Sequence, residues 1–145
     1  MSSERTVELG EPVIGELELE RIRAVFETGW ILNGPTVKEF EESFREYVEA
    51  EHAVGVVNCT AGMDLAFKAL GLSEGKAIIG GQSFVANGIA MQQNDVEPLF
   101  VDVDPETYNL DPEAVEDHAE EADAVFVLHY AGHAAEMDRI LEIAN

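Results

Sequence analysis

Basic residues are scarce in this chain of 145 residues: eight lysines and arginines stand against 30 acidic residues, a formal charge of −22 with neutral histidines. A surface of one sign repels nucleic acid and anionic membranes, which excludes phosphate-backbone and lipid-surface partners. The single cysteine, Cys59, excludes an internal disulfide and a cysteine-rich metal site. No apolar run reaches membrane-spanning length. The opening MSSERTVELGEP lacks the apolar core of a secretion signal. No GxxxxGK[ST], GxGxxG or HExxH pattern occurs, so neither a P-loop, a dinucleotide fingerprint nor a zinc-protease helix is present. No internal repeat or low-complexity linker divides the chain.

What remains is a globular composition, 46% hydrophobic, with acids spread evenly along it. Neighbouring carboxylates couple over a Debye length of about 10 Å at 0.1 M salt. Even acid enrichment with only Lys38, Lys68 and Lys76 as lysines points to a cytoplasmic protein of a high-salt interior. An ordinary acidic soluble protein is the alternative.

Apolar periodicity predicts helices over Ile14–Phe26, stopped by Gly29, and from Thr36 onward, with Thr36 and Glu39 as a capping box. Short apolar runs predict strands at Ala53–Val57, Ala77–Ile79, Val96–Val101 and Ala124–Leu128. Helices are expected at Ala61–Leu70, closed by Gly71, at Phe84–Met91, after Asp111-Pro112, and over Ala135–Ala144. Strands alternating with helices indicate α/β architecture, a mainly parallel sheet flanked by helices. The expected organisation is a helical segment over about 12–50 and an α/β core over about 53–145.

Ligands in such folds sit beyond the carboxyl ends of the strands. That rule selects Asn58–Gly62, Gly80–Asn87, Asp102–Pro105 and His129–His133. At the first, backbone amides opening a helix favour a phosphate, with the Thr60 hydroxyl as a further donor; equally, Thr60 is an N-cap and Gly62 a close-packing residue. Phe84 either stacks on a planar ring or belongs to the core. Asp104 is read as a turn and cap residue rather than a metal ligand. His129 either binds a substrate phosphate or carboxylate or is a satisfied structural histidine. Cys59 is assigned as a small buried filler.

The ordered set ELERIRAVFETGWILNGPTVKEFEESFREYVEAEHAVGVVNCTAGMDLAFKALGL, QSFVANGIAM, VEPLFVDVDPETYNLDPEAVE and AVFVLHYAGHAAEMDRILEIAN resembles the first part of the DegT/DnrJ/EryC1/StrS family of sugar aminotransferases. The resemblance covers nearly the whole chain. It implies an incomplete large domain of the fold-type I pyridoxal 5'-phosphate (PLP) enzymes, and a homodimer or a complementary chain as partner. It also implies PLP as cofactor, a nucleotide-linked keto sugar as substrate and glutamate as amino donor. By the same resemblance, Thr60 and Ala61 match the pair holding the cofactor phosphate. Phe84 matches the aromatic residue stacked on the pyridine ring. Trp30, Asn33 and Gly34 match the N-terminal loop near the substrate, and His129 the histidine-containing substrate loop. NCTAGM differs from the family's usual NGTAAL, with Cys59 where glycine is common, and Gln82-Ser83 replaces a proline-threonine pair.

In the family, the aspartate pairing with the pyridine nitrogen, the Schiff-base lysine and the small C-terminal domain follow the segment that ends here at Asn145. The expectation is therefore an inactive isolated chain, with no catalytic residue of its own. It would be a truncated product, one piece of a split enzyme, or a non-catalytic binding or structural remnant. A sheet cut at that point is expected to expose an apolar edge and to fold marginally.

Overall fold

The computed structural model describes residues 10–145. The chain divides into two compact units, Met1–Gly55 and Val56–Asn145.

The first unit carries two helices, α1 (Glu16–Thr28) and α2 (Pro35–Tyr47). Helix α1 starts two residues later than the apolar pattern predicts. There the Glu18 carboxylate accepts the Gly15 N–H at 2.7 Å, which holds that carboxyl below its usual range. It ends with Gly29 in the left-handed region. Helix α2 corrects the expected capping box. Its N-cap is Gly34, without a side-chain cap, because Pro35 with its fixed φ occupies the first helical position and moves the start ahead of Thr36. Glu39 instead lies 3.3 Å from Arg21. Neither helix buries a residue.

The predicted strand at Ala53–Val57 does not form. No strand pairs with it among the described residues, and Val54 and Val57 are 77% and 87% exposed. An apolar run specifies a strand only where a neighbour offers a ladder.

The second unit is a three-stranded parallel sheet in the order β2-β1-β3, with β1 at Gly75–Gly80, β2 at Val96–Val101 and β3 at Ala124–Phe126. Pro98 cannot donate to a ladder, and β2 accordingly lies at an edge. Strand β3 ends at Phe126 rather than Leu128. Its partner runs out there, since Phe126 faces Ile79 next to the end of β1. Successive residues of β1 point to opposite faces. Ala77 and Ile79 pack with Phe67, Ala90, Met91 and Val96 beneath α3 (Cys59–Leu70) and α4 (Val85–Gln93). Ile78 packs with Val101, Leu110, Val115, Ala135 and Ile140 beneath α5 (Pro112–His118) and α6 (Met137–Ala144). Each fully buried large side chain contributes on the order of 1.5–3 kcal/mol.

Helix α3 ends at Gly71, whose φ of 68° suits glycine, and residues 72–74 lead directly into β1. This helix therefore runs back along the sheet, with its amino end toward the carboxyl ends of the strands. From β1 the chain steps to β2 on one side and, later, to β3 on the other. The end of β1 at Gly80 is thus the point where the winding reverses.

Candidate functional site

Helix α3 begins at Cys59 because Asn58, in extended conformation, caps it. The Asn58 Oδ1 accepts the Ala61 N–H at 2.9 Å, and its carbonyl accepts the Gly62 N–H at 3.1 Å. This corrects Thr60 as N-cap: Asn58 has the short side-chain acceptor two residues earlier, and Thr60 sits inside the first turn. Among the described residues the Thr60 N–H and hydroxyl have no hydrogen-bond partner, whereas the Ala61 N–H is engaged. Cys59, expected as a buried filler, is exposed, because the first helical position faces outward here.

Phe84 is the N-cap of α4 and is 72% exposed, so it does not serve the core. It borders an open groove with Ser83, Gly88, Ile89 and Phe100. Buried Asn87 donates from Nδ2 to the Ser83 hydroxyl at 2.6 Å and fixes the loop that presents the ring. Gln82 donates from Nε2 to the Tyr130 hydroxyl at 3.3 Å, joining this loop to the one after β3.

Asp104 behaves as the expected turn residue. Its Oδ1 accepts the Thr107 N–H at 2.7 Å, the Thr107 hydroxyl at 2.9 Å and the Glu106 N–H at 3.0 Å. These bonds, the Thr107 N–H foremost, hold its carboxyl below the usual range. Among the described residues no three histidine, cysteine or acidic side chains are grouped to hold a metal ion.

His129 is exposed and lies in the loop beyond β3, as the strand-end rule requires. Its Nδ1 accepts the Ala135 N–H at 3.1 Å, which also delays α6 to Met137. The residue that organises this loop was not visible in the sequence. Asn109, 4% exposed, accepts the Tyr130 N–H at 2.8 Å and donates to the His133 carbonyl at 3.0 Å. Its only sequence signal is an asparagine in a turn, which by itself names no partner.

Trp30, Asn33 and Gly34 belong to the first unit and share one loop. The Trp30 Nε1–H donates to the Asn33 carbonyl at 3.0 Å, and the Trp30 N–H to the Thr28 hydroxyl at 3.1 Å. Gly34 is required here, since a β-carbon would overlap the Trp30 indole. The loop borders an apolar concavity of about 690 Å³ with Val25, Leu32 and Pro35. Thr60, Ala61, Phe84 and His129 belong to the second unit.

In this parallel α/β unit the first turn of α3, the exposed Phe84 ring and the His129 imidazole lie in the segments where such folds place ligands. The chain belongs to the DegT/DnrJ/EryC1/StrS aminotransferase family, whose model matches residues 12–145. Over 136 residues it is 38% identical to an uncharacterised protein of Methanocaldococcus jannaschii. Over the same length it is 36% identical to the spore coat polysaccharide biosynthesis protein SpsC of Bacillus subtilis. Both alignments cover 92% of this chain and 35% of the relative, so the chain spans about a third of their length. Among solved structures, DesV of S. venezuelae, in complex with a ketimine intermediate, superposes with a TM-score of 0.83 at 31% identity, covering 89% of this chain and 36% of that one. The 3-amino-5-hydroxybenzoic acid synthase superposes with a TM-score of 0.86 at 32% identity, covering 92% and 36%. The PLP form of Spr1654 from Streptococcus pneumoniae has a TM-score of 0.89 at 23% identity over 96% and 36%, which speaks for the fold.

Proposed function

We propose that this chain is the phosphate-holding and ring-covering part of a PLP-dependent aminotransferase that acts on a nucleotide-linked keto sugar, with glutamate as amino donor. The reading rests above all on the first turn of α3, where Thr60 keeps an N–H and a hydroxyl free at a positive helix end.

The residues fit the cofactor. Thr60 would hold its phosphate, and Ala61 joins once its N–H leaves Asn58. The exposed ring of Phe84 would cover the pyridine. PLP, when bound, supplies an electron sink for the carbanion formed at the amino-bearing carbon. His129 would donate to substrate oxygen, and Trp30, Asn33 and Gly34 would shape the sugar-binding loop.

The lysines of this unit do not serve as the cofactor's amine. Lys68 is held by Asp64 at 2.7 Å, more than two turns along α3, and Lys76 lies at the amino end of β1, opposite Gly80. On this reading the cofactor's amine and the acidic partner of its pyridine would come from residues other than these, with a homodimer or a complementary chain as partner. The acid-rich composition supports a high-salt cytoplasm as its setting.

Titration of the purified chain with PLP and with inorganic phosphate, followed by phosphorus NMR, tests this. Thr60→Val is expected to weaken both alike, and borohydride is expected to leave no stable lysine adduct. Unchanged binding in Thr60→Val, or an adduct on Lys68 or Lys76, overturns it. A second reading, a non-catalytic remnant, is favoured by the Ala61 N–H being tied to Asn58 and by the β-carbon of Cys59. Failure of both PLP and nucleotide sugars to bind would select it.

A further inference from the structure

We infer that Asn109 is a positioning residue that holds the His129 imidazole in one tautomer, with its N–H directed outward at the carboxyl end of β3. The inference goes beyond the cofactor reading and concerns the chain without any ligand.

Asn109 is almost fully buried, and both ends of its amide are used on the loop that follows β3. The acceptor takes the N–H of Tyr130, the residue directly after His129, and the donor reaches the carbonyl of His133. One side chain thus clamps both ends of residues 130–133. Asn109 is itself anchored: its carbonyl accepts the Asp104 N–H at 2.9 Å, and its N–H donates to the Thr107 hydroxyl at 3.3 Å. Two neighbours hold conformations that non-glycine residues rarely adopt, Tyr108 at φ 60° and Ala131 at φ 51°. Each is unfavourable for a residue with a β-carbon and persists only where surrounding bonds impose it. The tyrosine rings on either side of the clamp meet at 5.7 Å between centroids.

The clamp fixes the chain leaving His129, and the Ala135 N–H reaches Nδ1 at 3.1 Å. A nitrogen that accepts an N–H carries no proton, so the neutral ring bears its hydrogen on Nε2. His129 is exposed, so that group is offered to solvent as a donor. It suits a phosphate, carboxylate or carbonyl oxygen and repels a cation-donor group.

The test is nitrogen NMR of the histidine rings in the intact chain, with Asn109→Ala beside the wild type. The expected wild-type signature for His129 is the Nε2–H tautomer. In Asn109→Ala the signature moves toward a mixture of tautomers while the far-ultraviolet circular dichroism is retained. A wild-type His129 in the Nδ1–H form, or an unchanged tautomer in a folded Asn109→Ala, overturns the inference. Should Asn109→Ala fail to fold, hydrogen exchange in the wild type decides. The Tyr130 and Ala135 amides exchange as one protected unit, each slowed about tenfold or more; unprotected or independent exchange overturns it. None of these readouts requires PLP, so failure of the clamp and failure of the cofactor reading are separable.

Discussion

The two units use the same helical periodicity with opposite results. In Val56–Asn145, Ile78, Met91 and Val115 are completely buried on the two faces of the sheet. In Met1–Gly55, the apolar stripes of α1 and α2 leave Phe26 at 69% and Phe40 at 60% exposed. An amphipathic stripe states that a face needs cover; only a sheet or a partner supplies it. The sheet offers two faces at once, which is why short elements there form a core and longer helices in the first unit do not.

The largest effect that tests this contrast is truncation of a buried side chain. Ile78→Ala is expected to cost about 2–5 kcal/mol in urea unfolding followed by circular dichroism. Phe44→Ala, at a half-exposed position whose ring lies 5.9 Å from that of Phe40, is expected to cost no more than about 1.5 kcal/mol. Equal costs break the comparison. A Phe44→Ala cost that grows with protein concentration would sharpen it instead, showing the face of α2 covered by a second copy.

The same contrast decides what was legible in the sequence. The β2 strand, Val96–Val101, was readable to the residue, because an apolar run between Asp95 and Asp102 happens to lie against β1. Ala53–Val57 has the same local character and no ladder, so the local reading overreached. The start of α2 moved because Pro35 outweighed the Thr36–Glu39 pattern. At the candidate site, the beginnings of α3 and α4 were legible to within two residues, expected at Ala61 and Phe84 and found at Cys59 and Val85. The roles of Asn58 and Asn109 were not, since each is defined by a bond whose partner the local pattern does not name: Ala61 rather than Thr60's own cap for one, and Tyr130 and His133 for the other.

Caps give the next smaller effect. Helix α3 has a side-chain cap and α2 has none. Asn58→Ala is expected to destabilise the second unit by about 1 kcal/mol. Because it also releases the Ala61 N–H, inorganic phosphate is expected to bind more tightly to the folded variant. Weaker phosphate binding together with the stability loss would show that Asn58 belongs to the phosphate site and does not compete with it.

Acid titration reports on lowered carboxylates of the second unit. Asp104 is held below its usual range by Thr107, and Asp64 by the hydrogen bond from Lys68, then by Asn94. A depressed folded pKa gives stability that is present above the unfolded value and is lost as pH falls through the folded one. Wild-type stability is therefore expected to fall below about pH 4. Asp104→Asn keeps an acceptor for Thr107 but loses the charge. Its urea midpoint should lie below that of the wild type at neutral pH and converge with it in acid. A gap that stays constant with pH would remove Asp104 from the acid response.

The smallest effect concerns the pair Arg21–Glu39, 3.3 Å apart and more than 60% exposed at both side chains. An isolated surface pair contributes roughly 0–1 kcal/mol. In a chain of net charge −22 its two members are not equivalent. Arg21→Gln removes one of eight cationic residues and leaves Glu39 among repelling carboxylates, while Glu39→Gln removes one source of that repulsion. At low salt Arg21→Gln is expected to lower the urea midpoint and Glu39→Gln to leave it unchanged or raise it. In about 1 M KCl the Debye length shrinks to about 3 Å, so the two variants should coincide. Rising stability of the wild type over the same KCl range is the result expected of a protein suited to a high-salt interior. If Arg21→Gln and Glu39→Gln weaken the chain equally at low salt, the pair acts through its own contact, and the acid-rich surface does not set its sign.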